Sequence, residues 1–316
     1  MEYRRCGKSG LLLPAVSLGG WHNFSALDQA RELTMTAFDL GITHIDLANN
    51  YGPPPGMAET QVGRILESDL ASHRDEIVIS TKAGYTMWDG PYGDWGSKKY
   101  MTASLDQSLK RLGLDYVDIF YSHRYDPATP LEETMGALHQ AVRAGKAFYP
   151  AISNYPKKAV KKAAKMMKDW GTPLLAHQCP YNMFNRSIEV GGVINESADQ
   201  GMGMVVFSPL AQGLLTDRYL HDIPQDSRVV TSGQFLKEDD ITSSKRGMVC
   251  SLNELASEYG LPLARLALLW CLRKKSVATV LIGASKPEQI RDNVEVINDL
   301  SLSREFCVRI DGILEG

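Results

Sequence analysis

The chain has 316 residues, 44% of them hydrophobic and 22% charged, which is the composition of a folded globular protein and excludes a disordered one. Its 34 Lys and Arg stand against 37 Asp and Glu, a formal charge of -3, so no global positive field exists to hold nucleic acid or an anionic membrane. Cys6, Cys179, Cys250, Cys271 and Cys307 lie far apart with no C-x-x-C pair, which argues against a disulfide framework or zinc knuckle and suits a reducing compartment. The opening Met1-Glu2-Tyr3-Arg4-Arg5-Cys6 lacks an apolar signal core, and no uncharged run reaches the ~18 residues of a membrane span, so a cytoplasmic location is expected. The sequons at Asn23, Asn185 and Asn195 then read as chance matches.

Residues 3–5 and 11–13 flank Gly7-Lys8-Ser9-Gly10 and read as a hairpin. From there short apolar runs alternate with stretches of helical period. A strand at 16–19 precedes a helix at 26–40, where Ala30, Leu33, Ala37, Phe38 and Leu40 share one face and Gly41 is the stop. Strand and helix then recur at 43–47 and 59–70, 77–80 and 102–112, 117–121 and 132–144, 147–152 and 156–170, 174–178 and 193–200. A seventh strand at 204–207 leads into a long irregular stretch to about 245, then helices to 259 and over 262–274. The eighth strand is 277–282 with a helix at 287–300, and a last helix covers 304–314.

Short apolar strands each followed by an amphipathic helix want a parallel sheet covered by helices. Eight such units close most naturally into a (β/α)8 TIM barrel, here one α/β domain over 1–316 with an N-terminal β-hairpin and extra helices. A doubly wound sheet is the alternative, disfavoured because no composition break divides the units. Pro150 removes a ladder donor from the fifth strand and predicts a bulge there. Lys157, Lys158, Lys161, Lys162, Lys165 and Lys168 alternate with Ala and Met on the next helix and read as a solvated face.

In a barrel, reactive residues belong at the C-terminal ends of strands. Asp46 and Tyr51, Lys82, and His123 follow three consecutive strands. A Tyr phenol, with a pKa of ~10, trades protons poorly near neutrality, and a neighbouring ammonium is expected to lower it. Asp46 would hold Lys82 charged and in place, and His123 would orient a substrate carbonyl. Such a set suits proton donation to a developing alkoxide while hydride arrives at carbon. No His-x-His or two-His-plus-carboxylate spacing follows the first strand, so a metal-dependent barrel hydrolase is set aside and no metal is expected.

Gly41-Ile42-Thr43-His44-Ile45-Asp46 followed by Tyr51-Gly52 resembles the aldo-keto reductase signature. Ser80-Thr81-Lys82-Ala83-Gly84, Tyr121-Ser122-His123-Arg124, Ile152-Ser153-Asn154-Tyr155 and Ile282-Gly283-Ala284-Ser285 match the other family blocks in order, over essentially the whole chain. The run from Asp46 through Tyr51-Gly52-Pro53-Pro54-Pro55-Gly56, with Gly90-Pro91-Tyr92-Gly93 and Ser208-Pro209-Leu210-Ala211-Gln212-Gly213-Leu214-Leu215, is similar to the branch related to potassium-channel β subunits and, within it, to bacterial L-glyceraldehyde 3-phosphate reductases. The resemblance implies a (β/α)8 barrel and NADPH-dependent reduction of small aldehydes, with L-glyceraldehyde 3-phosphate and methylglyoxal as candidates. It implies Tyr51 as the acid, Lys82 and Asp46 as its activators and His123 as the orienting group. A homo-oligomer, tetramer or octamer, is also implied. An NADPH-binding regulatory subunit is the second reading; the intact Tyr51 and the missing N-terminal extension argue for the enzyme.

No G-x-G-x-x-G follows a strand and no P-loop occurs. The resemblance instead implies Ser153, Asn154 and Gln178 on the nicotinamide amide, with Phe207 stacked on its ring and Trp21 and Asp46 nearby. It implies Ser208, Leu210 and Gly213 along the pyrophosphate, and Gly283, Ser285, Lys286, Gln289 and Asn293 at the adenosine end, with Asp292 near the adenine. Lys286 at a helix start favours a 2′-phosphate, hence NADPH over NADH. The family usually has Gly where Ala151 stands, so crowding of the nicotinamide pocket is expected. Trp21, His22, Tyr51, Trp88, His123 and Arg124 are expected on the substrate side, joined by Tyr92, Trp95 and Tyr181. Residues 85–100 form a candidate lid, and Arg124 with Lys98 or Lys99 a candidate phosphate contact. The chain stops soon after its last helix, which fits a small polar aldehyde better than a steroid.

Overall fold

The computed structural model describes residues 1–217, 242–296 and 301–315. Strands β1 (Tyr3–Arg5) and β2 (Leu12–Pro14) pair antiparallel as a separate hairpin. Strands β3 (Val16–Gly19), β4 (His44–Asp46), β5 (Val78–Ala83), β6 (Val117–Ser122), β7 (Ala147–Ser153), β8 (Ala176–Pro180), β9 (Gly203–Phe207) and β10 (Val277–Ile282) close into a parallel barrel in the order β10-β3-β4-β5-β6-β7-β8-β9. This is the (β/α)8 TIM barrel, and closure excludes the doubly wound alternative, which would leave two open edges.

The helical layer comprises α1 (Leu27–Asp39), α2 (Met57–Ser68), α3 (Lys98–Leu112), α4 (Leu131–Arg143), α5 (Lys157–Asp169), α6 (Ser187–Val190), α7 (Val193–Asp199), α8 (Ser243–Glu258), α9 (Leu263–Leu272), α10 (Pro287–Val294) and α11 (Arg304–Glu315). The irregular stretch expected after β9 falls largely on 218–241, and the tail of the last unit's helix on 297–300, outside the described residues. Helix α3 starts earlier than its apolar pattern does, because Ser97 accepts a hydrogen bond from Tyr100 N and caps it. Helix α5 buries Ala159, Val160, Ala163, Ala164 and Met167 and turns its lysines outward, a solvated face with Lys165 paired to Asp169 at 2.6 Å.

Alternation along each strand separates two cores. Val16, Leu18, Ile45, Ile79, Phe120, Ile152, Met204 and Val280 pack outward against the helices. Ile119, Tyr121, Ala151, Ala176, Val205 and Leu281 fill the barrel interior together with Cys6 and Leu13 of the hairpin region. The hairpin therefore plugs the N-terminal end of the barrel: Lys8 N donates to Gly201 O at 2.9 Å and Ala15 N to Glu2 O at 2.8 Å. Solvent access is left to the opposite end, where the strands finish.

The bulge expected at Pro150 is absent. β6 and β7 stay in constant register from Val117↔Ala147 to Ser122↔Ile152. On the β8 side Pro150 O accepts the first bond, from Leu175 N at 2.9 Å, and register pairing follows from Ile152↔His177, so the missing Pro150 donor falls at the start of that ladder. Ala151 is buried in the interior and pairs with Tyr121, which pairs in turn with Lys82, so it stands one inward-facing position before Ser153.

Candidate active site

Asp46 ends β4 and points inward, with His44 on the same face and Ile45 on the other. The chain then runs along β5, with Leu47 N donating to Ser80 O at 2.8 Å and Asn49 N to Lys82 O at 2.9 Å, and turns back at Tyr51. Lys82 lies within β5, not beyond it, and is fully buried. Its ammonium donates to Asp46 Oδ2 at 2.6 Å and to Leu47 O at 2.7 Å. Asp46 Oδ1 accepts from Ser80 Oγ at 2.6 Å and from Gln178 Nε2 at 3.1 Å. The carboxylate is thus satisfied on both oxygens, which a buried ion pair requires if desolvation is not to outweigh attraction.

His123 follows β6, its backbone N donating to Ala83 O at 2.9 Å. Gly84 matters here: a Cβ at that position would stand 3.0 Å from His123 Cβ, so only glycine lets the ends of β5 and β6 run this close. At Gly20, after β3, a Cβ would stand 2.7 Å from Leu47 Cδ2 and displace that side chain. Trp21 follows at the mouth, 6.2 Å from the Tyr51 ring. The His123 ring meets Tyr51 edge-on at 5.8 Å and Tyr85 at 4.7 Å. Its Nδ1 is buried without a hydrogen-bond partner.

The structure brings Asp46, Tyr51, Lys82 and His123 together, with Lys82 Nζ 5.0 Å from the Tyr51 ring centre. It reverses one electrostatic expectation. Burial, then Asp46 and Tyr85, push the Tyr51 phenol well above its ordinary range, a rise that outweighs the lowering expected from a neighbouring ammonium. Lys82 is itself lowered by burial, with Asp46 and Glu59 opposing. Burial, with Lys82 and Arg124 adding to it, holds His123 well below the usual histidine range, hence neutral.

The remaining expected residues fall into distinct groups. Ser153, at the end of β7, and Gln178, midway along β8, are buried, and Asn154 beside them donates to His123 O at 3.1 Å and Ser153 Oγ at 3.0 Å. Phe207, Ser208, Leu210 and Gly213 follow β9. Asn154, Ser208, Ala211 and Gln212 all hold positive φ, between 48° and 61°, which a non-glycine backbone adopts only when its surroundings impose it. Gly283, Ser285, Lys286, Gln289, Asp292 and Asn293 follow β10 and start α10. Ser285 N and Lys286 N donate to Gln289 Oε1 at 2.8 and 3.3 Å, so Gln289 caps its own helix. Lys286 is exposed, with no carboxylate partner among the described residues.

On the substrate side, the His22 ring lies tilted against Trp21, their centres 3.9 Å apart. Trp88 packs on Tyr100 at 5.2 Å. Arg124 is engaged by the 85–100 loop: it donates to Gly84 O at 2.7 Å and to Asp94 Oδ1 at 2.6 Å, between the rings of Tyr85 and Trp95. Lys99 stands 5.3 Å from the Tyr92 ring, and Tyr92 is exposed. Tyr181 is not at the mouth. It is fully buried against Trp270, its hydroxyl donating to Glu189 at 2.7 Å, because the chain past β8 turns into the helical layer. Sequence reasoning missed Tyr85 and Asp94, which the loop composition alone did not single out, and Ser80, whose hydroxyl was quoted only as part of a block.

The pattern that describes the Aldo/keto reductase family matches residues 15–315. The chain is 52% identical over 317 residues to an L-glyceraldehyde 3-phosphate reductase of Escherichia coli (strain K12), covering 98% of this chain and 92% of that protein. It is 33% identical to a probable voltage-gated potassium channel subunit beta of Oryza sativa subsp. japonica, over 100% of this chain and 97% of that one. It is 34% identical to a putative subunit of the same kind in Schizosaccharomyces pombe, over 99% and 93%.

Proposed function

The chain belongs to the aldo/keto reductase family of NAD(P)H-dependent oxidoreductases, and from that premise we propose that it reduces small aldehydes to alcohols with NADPH, Tyr51 giving the proton. The observation that carries the reading is the wholly buried Lys82–Asp46 pair beside Tyr51, with a neutral His123 edge-on to the same ring. When bound, the nicotinamide supplies a hydride to the carbonyl carbon. Everything else is done by side chains of this chain.

Because the phenol stays protonated at neutral pH, the form of Tyr51 that donates is the form present. As the substrate oxygen gains charge, the Tyr51 O–H bond breaks and the alcohol O–H bond forms. The phenolate left behind faces the Lys82 ammonium, and Asp46 keeps that ammonium in place. His123, being neutral, donates a hydrogen bond to the carbonyl oxygen without competing as an acid. Trp21, Tyr85 and the 85–100 loop close off water.

The donor set fits the cofactor. Ser153, Asn154 and Gln178 offer the hydroxyl and amide groups that a carboxamide needs, with Phe207 for the ring. The imposed positive-φ turns at Ser208, Ala211 and Gln212 suit a backbone shaped around pyrophosphate. Since Gln289 accepts from the amides of Ser285 and Lys286, the exposed Lys286 ammonium, with no carboxylate partner among the described residues, is the group that would meet a 2′-phosphate. That supports NADPH over NADH. The 52% likeness to a protein named for L-glyceraldehyde 3-phosphate supports that aldehyde as first candidate, with methylglyoxal second.

The test is NADPH oxidation by purified protein with L-glyceraldehyde 3-phosphate, methylglyoxal and a neutral aromatic aldehyde, repeated with NADH and with Tyr51→Phe. Turnover that vanishes in Tyr51→Phe while NADPH still binds supports the reading. No turnover of any aldehyde with tight NADPH binding would instead favour an NADPH-binding subunit, in line with the 33% and 34% identical relatives named as potassium channel subunits beta.

A further inference from the structure

Below the mouth, a row of hydrogen-bonded side chains crosses the barrel interior from β10 to Asp46. Thr279 Oγ1 lies 2.7 Å from Ser17 Oγ, Ser17 Oγ 2.9 Å from His44 Nδ1, and His44 Nε2 3.0 Å from Ser80 Oγ. Ser80 then donates to Asp46 Oδ1 at 2.6 Å. Every member is at most 2% exposed. Thr279 joins the row where β10 slips register against β9, between Val277 and Thr279, a bulge that re-aims a side chain.

The chemistry of the end group fixes the direction of the row. A carboxylate only accepts, so the single Ser80 proton goes to Asp46 and the Ser80 oxygen must accept from His44. His44 therefore carries its proton on Nε2. Its bare Nδ1 accepts from Ser17, and Ser17 accepts from Thr279. Each link is satisfied by a neutral imidazole in one tautomer. An imidazolium would reverse the upstream links and end on Thr279 donating to Ala15 O at 3.4 Å, a long bond. Burial also holds the imidazole neutral, with Lys82 adding to it and Asp46 opposing, its pKa pulled down to about 4.

We propose that His44 is a positioning residue of the reductase, which through Ser80 fixes the carboxylate of Asp46 so that Oδ2 faces Lys82. The proposal rests on the reductase reading above. His44 touches neither substrate nor cofactor; it acts by deciding where the Ser80 proton points. Without it Ser80 is free to rotate, Oδ1 loses a charge-assisted bond, and Asp46 turns away from the ammonium that supports Tyr51. A merely space-filling polar row would cost stability when broken and leave turnover unchanged.

The experiment compares wild type, His44→Leu, His44→Gln, Ser80→Ala, Ser17→Ala and Tyr51→Phe by steady-state kinetics, NADPH binding and the pH profile of kcat. It adds 15N NMR of the His44 ring in the free protein. His44→Leu and Ser80→Ala should lower kcat by about tenfold or more, as expected for losing a hydrogen bond to a charged group, with KM and NADPH binding unchanged. His44→Gln, whose amide N–H reaches as far as Nε2, should recover most of that loss. Ser17→Ala, one link further out, should lose less. Each slowed variant should also shift the pH profile of kcat, and the ring should show the Nε2–H tautomer. Ser80→Ala removes one hydroxyl only and keeps the test alive if His44→Leu does not fold. Wild-type kcat in both His44→Leu and Ser80→Ala, equal loss in the Leu and Gln variants, or an Nδ1–H tautomer overturns the proposal. If that happens while Tyr51→Phe is inactive, the reductase reading stands alone. If wild type itself turns over no aldehyde, both fall.

Discussion

Two adjacent residues of β5 hold two buried carboxylates on opposite faces of the barrel wall. Thr81 points outward and donates to Glu59 of α2 at 2.5 Å; Lys82 points inward to Asp46. The outer carboxylate is neutralised by Arg111 of α3 at 2.7 Å, a guanidinium 19% exposed. The inner one has only an ammonium with no exposure at all. A guanidinium stays charged in any protein setting, so the outer pair is a fixed tie between two helices and a strand. An ammonium shifts readily when buried, and burial lowers Lys82 here. The same kind of contact serves as a clamp outside the wall and as a charge able to respond to proton movement inside it.

The largest effect expected from breaking this contrast is on the inner side. Lys82→Met leaves Asp46 buried without a counter-charge and removes the partner of the Tyr51 phenolate. It should lower kcat by about 10²–10⁴-fold and unfolding free energy by about 3–5 kcal/mol, read by NADPH oxidation and by urea titration. Arg111→Met should take about 3 kcal/mol from stability, with kcat of the folded protein unchanged. A matching fall in kcat would mean that the two faces are not separable.

Glu189 extends the comparison to a third carboxylate, bonded to Tyr181, Arg273 and Lys274 in the helical layer. Bonds to Lys274 and Tyr181 outweigh its burial and hold it at about 2, below the ordinary 4.5. A depressed pKa stabilises the fold fully above pH 4.5, and the contribution drains as pH falls from 4.5 toward about 2. Glu189→Gln should flatten the acid limb of the stability curve without moving the pH profile of kcat. The smallest effect concerns the lid. Asp94→Asn frees Arg124 from a half-buried pair, and KM for a phosphorylated aldehyde should fall up to ~5-fold relative to methylglyoxal, the scale of one such ion pair. No change would mean that Arg124 holds the loop and not the substrate.

The barrel was legible in the sequence because its outward wall is apolar and regular: β3 at Val16–Gly19 and β10 at Val277–Ile282 are where the apolar runs place them. The inner face was harder to read. The apolar run that marks β5 stops at Ser80, yet the strand continues to Ala83, since Thr81 and Lys82 each find a buried partner across the wall. Helix α6, a single turn, carries too short a period to detect. The grouping of Asp46, Tyr51, Lys82 and His123 was legible from strand ends, but the direction of the Tyr51 shift was not, because burial and the Asp46 charge depend on packing that spacing does not encode. The same holds for the row from Thr279 to Ser80, assembled from β10, β3, β4 and β5.

If the inner cluster performs proton chemistry, it does so through Tyr51. Single-turnover reduction of L-glyceraldehyde 3-phosphate, with NADPH already bound, compares wild type with Tyr51→Phe most directly. The phenyl variant should bind NADPH and unfold like wild type but oxidise it about 10²–10⁴-fold more slowly. Oxidation at the wild-type rate would contradict that role, and would leave Lys82 and Asp46 as one more structural pair.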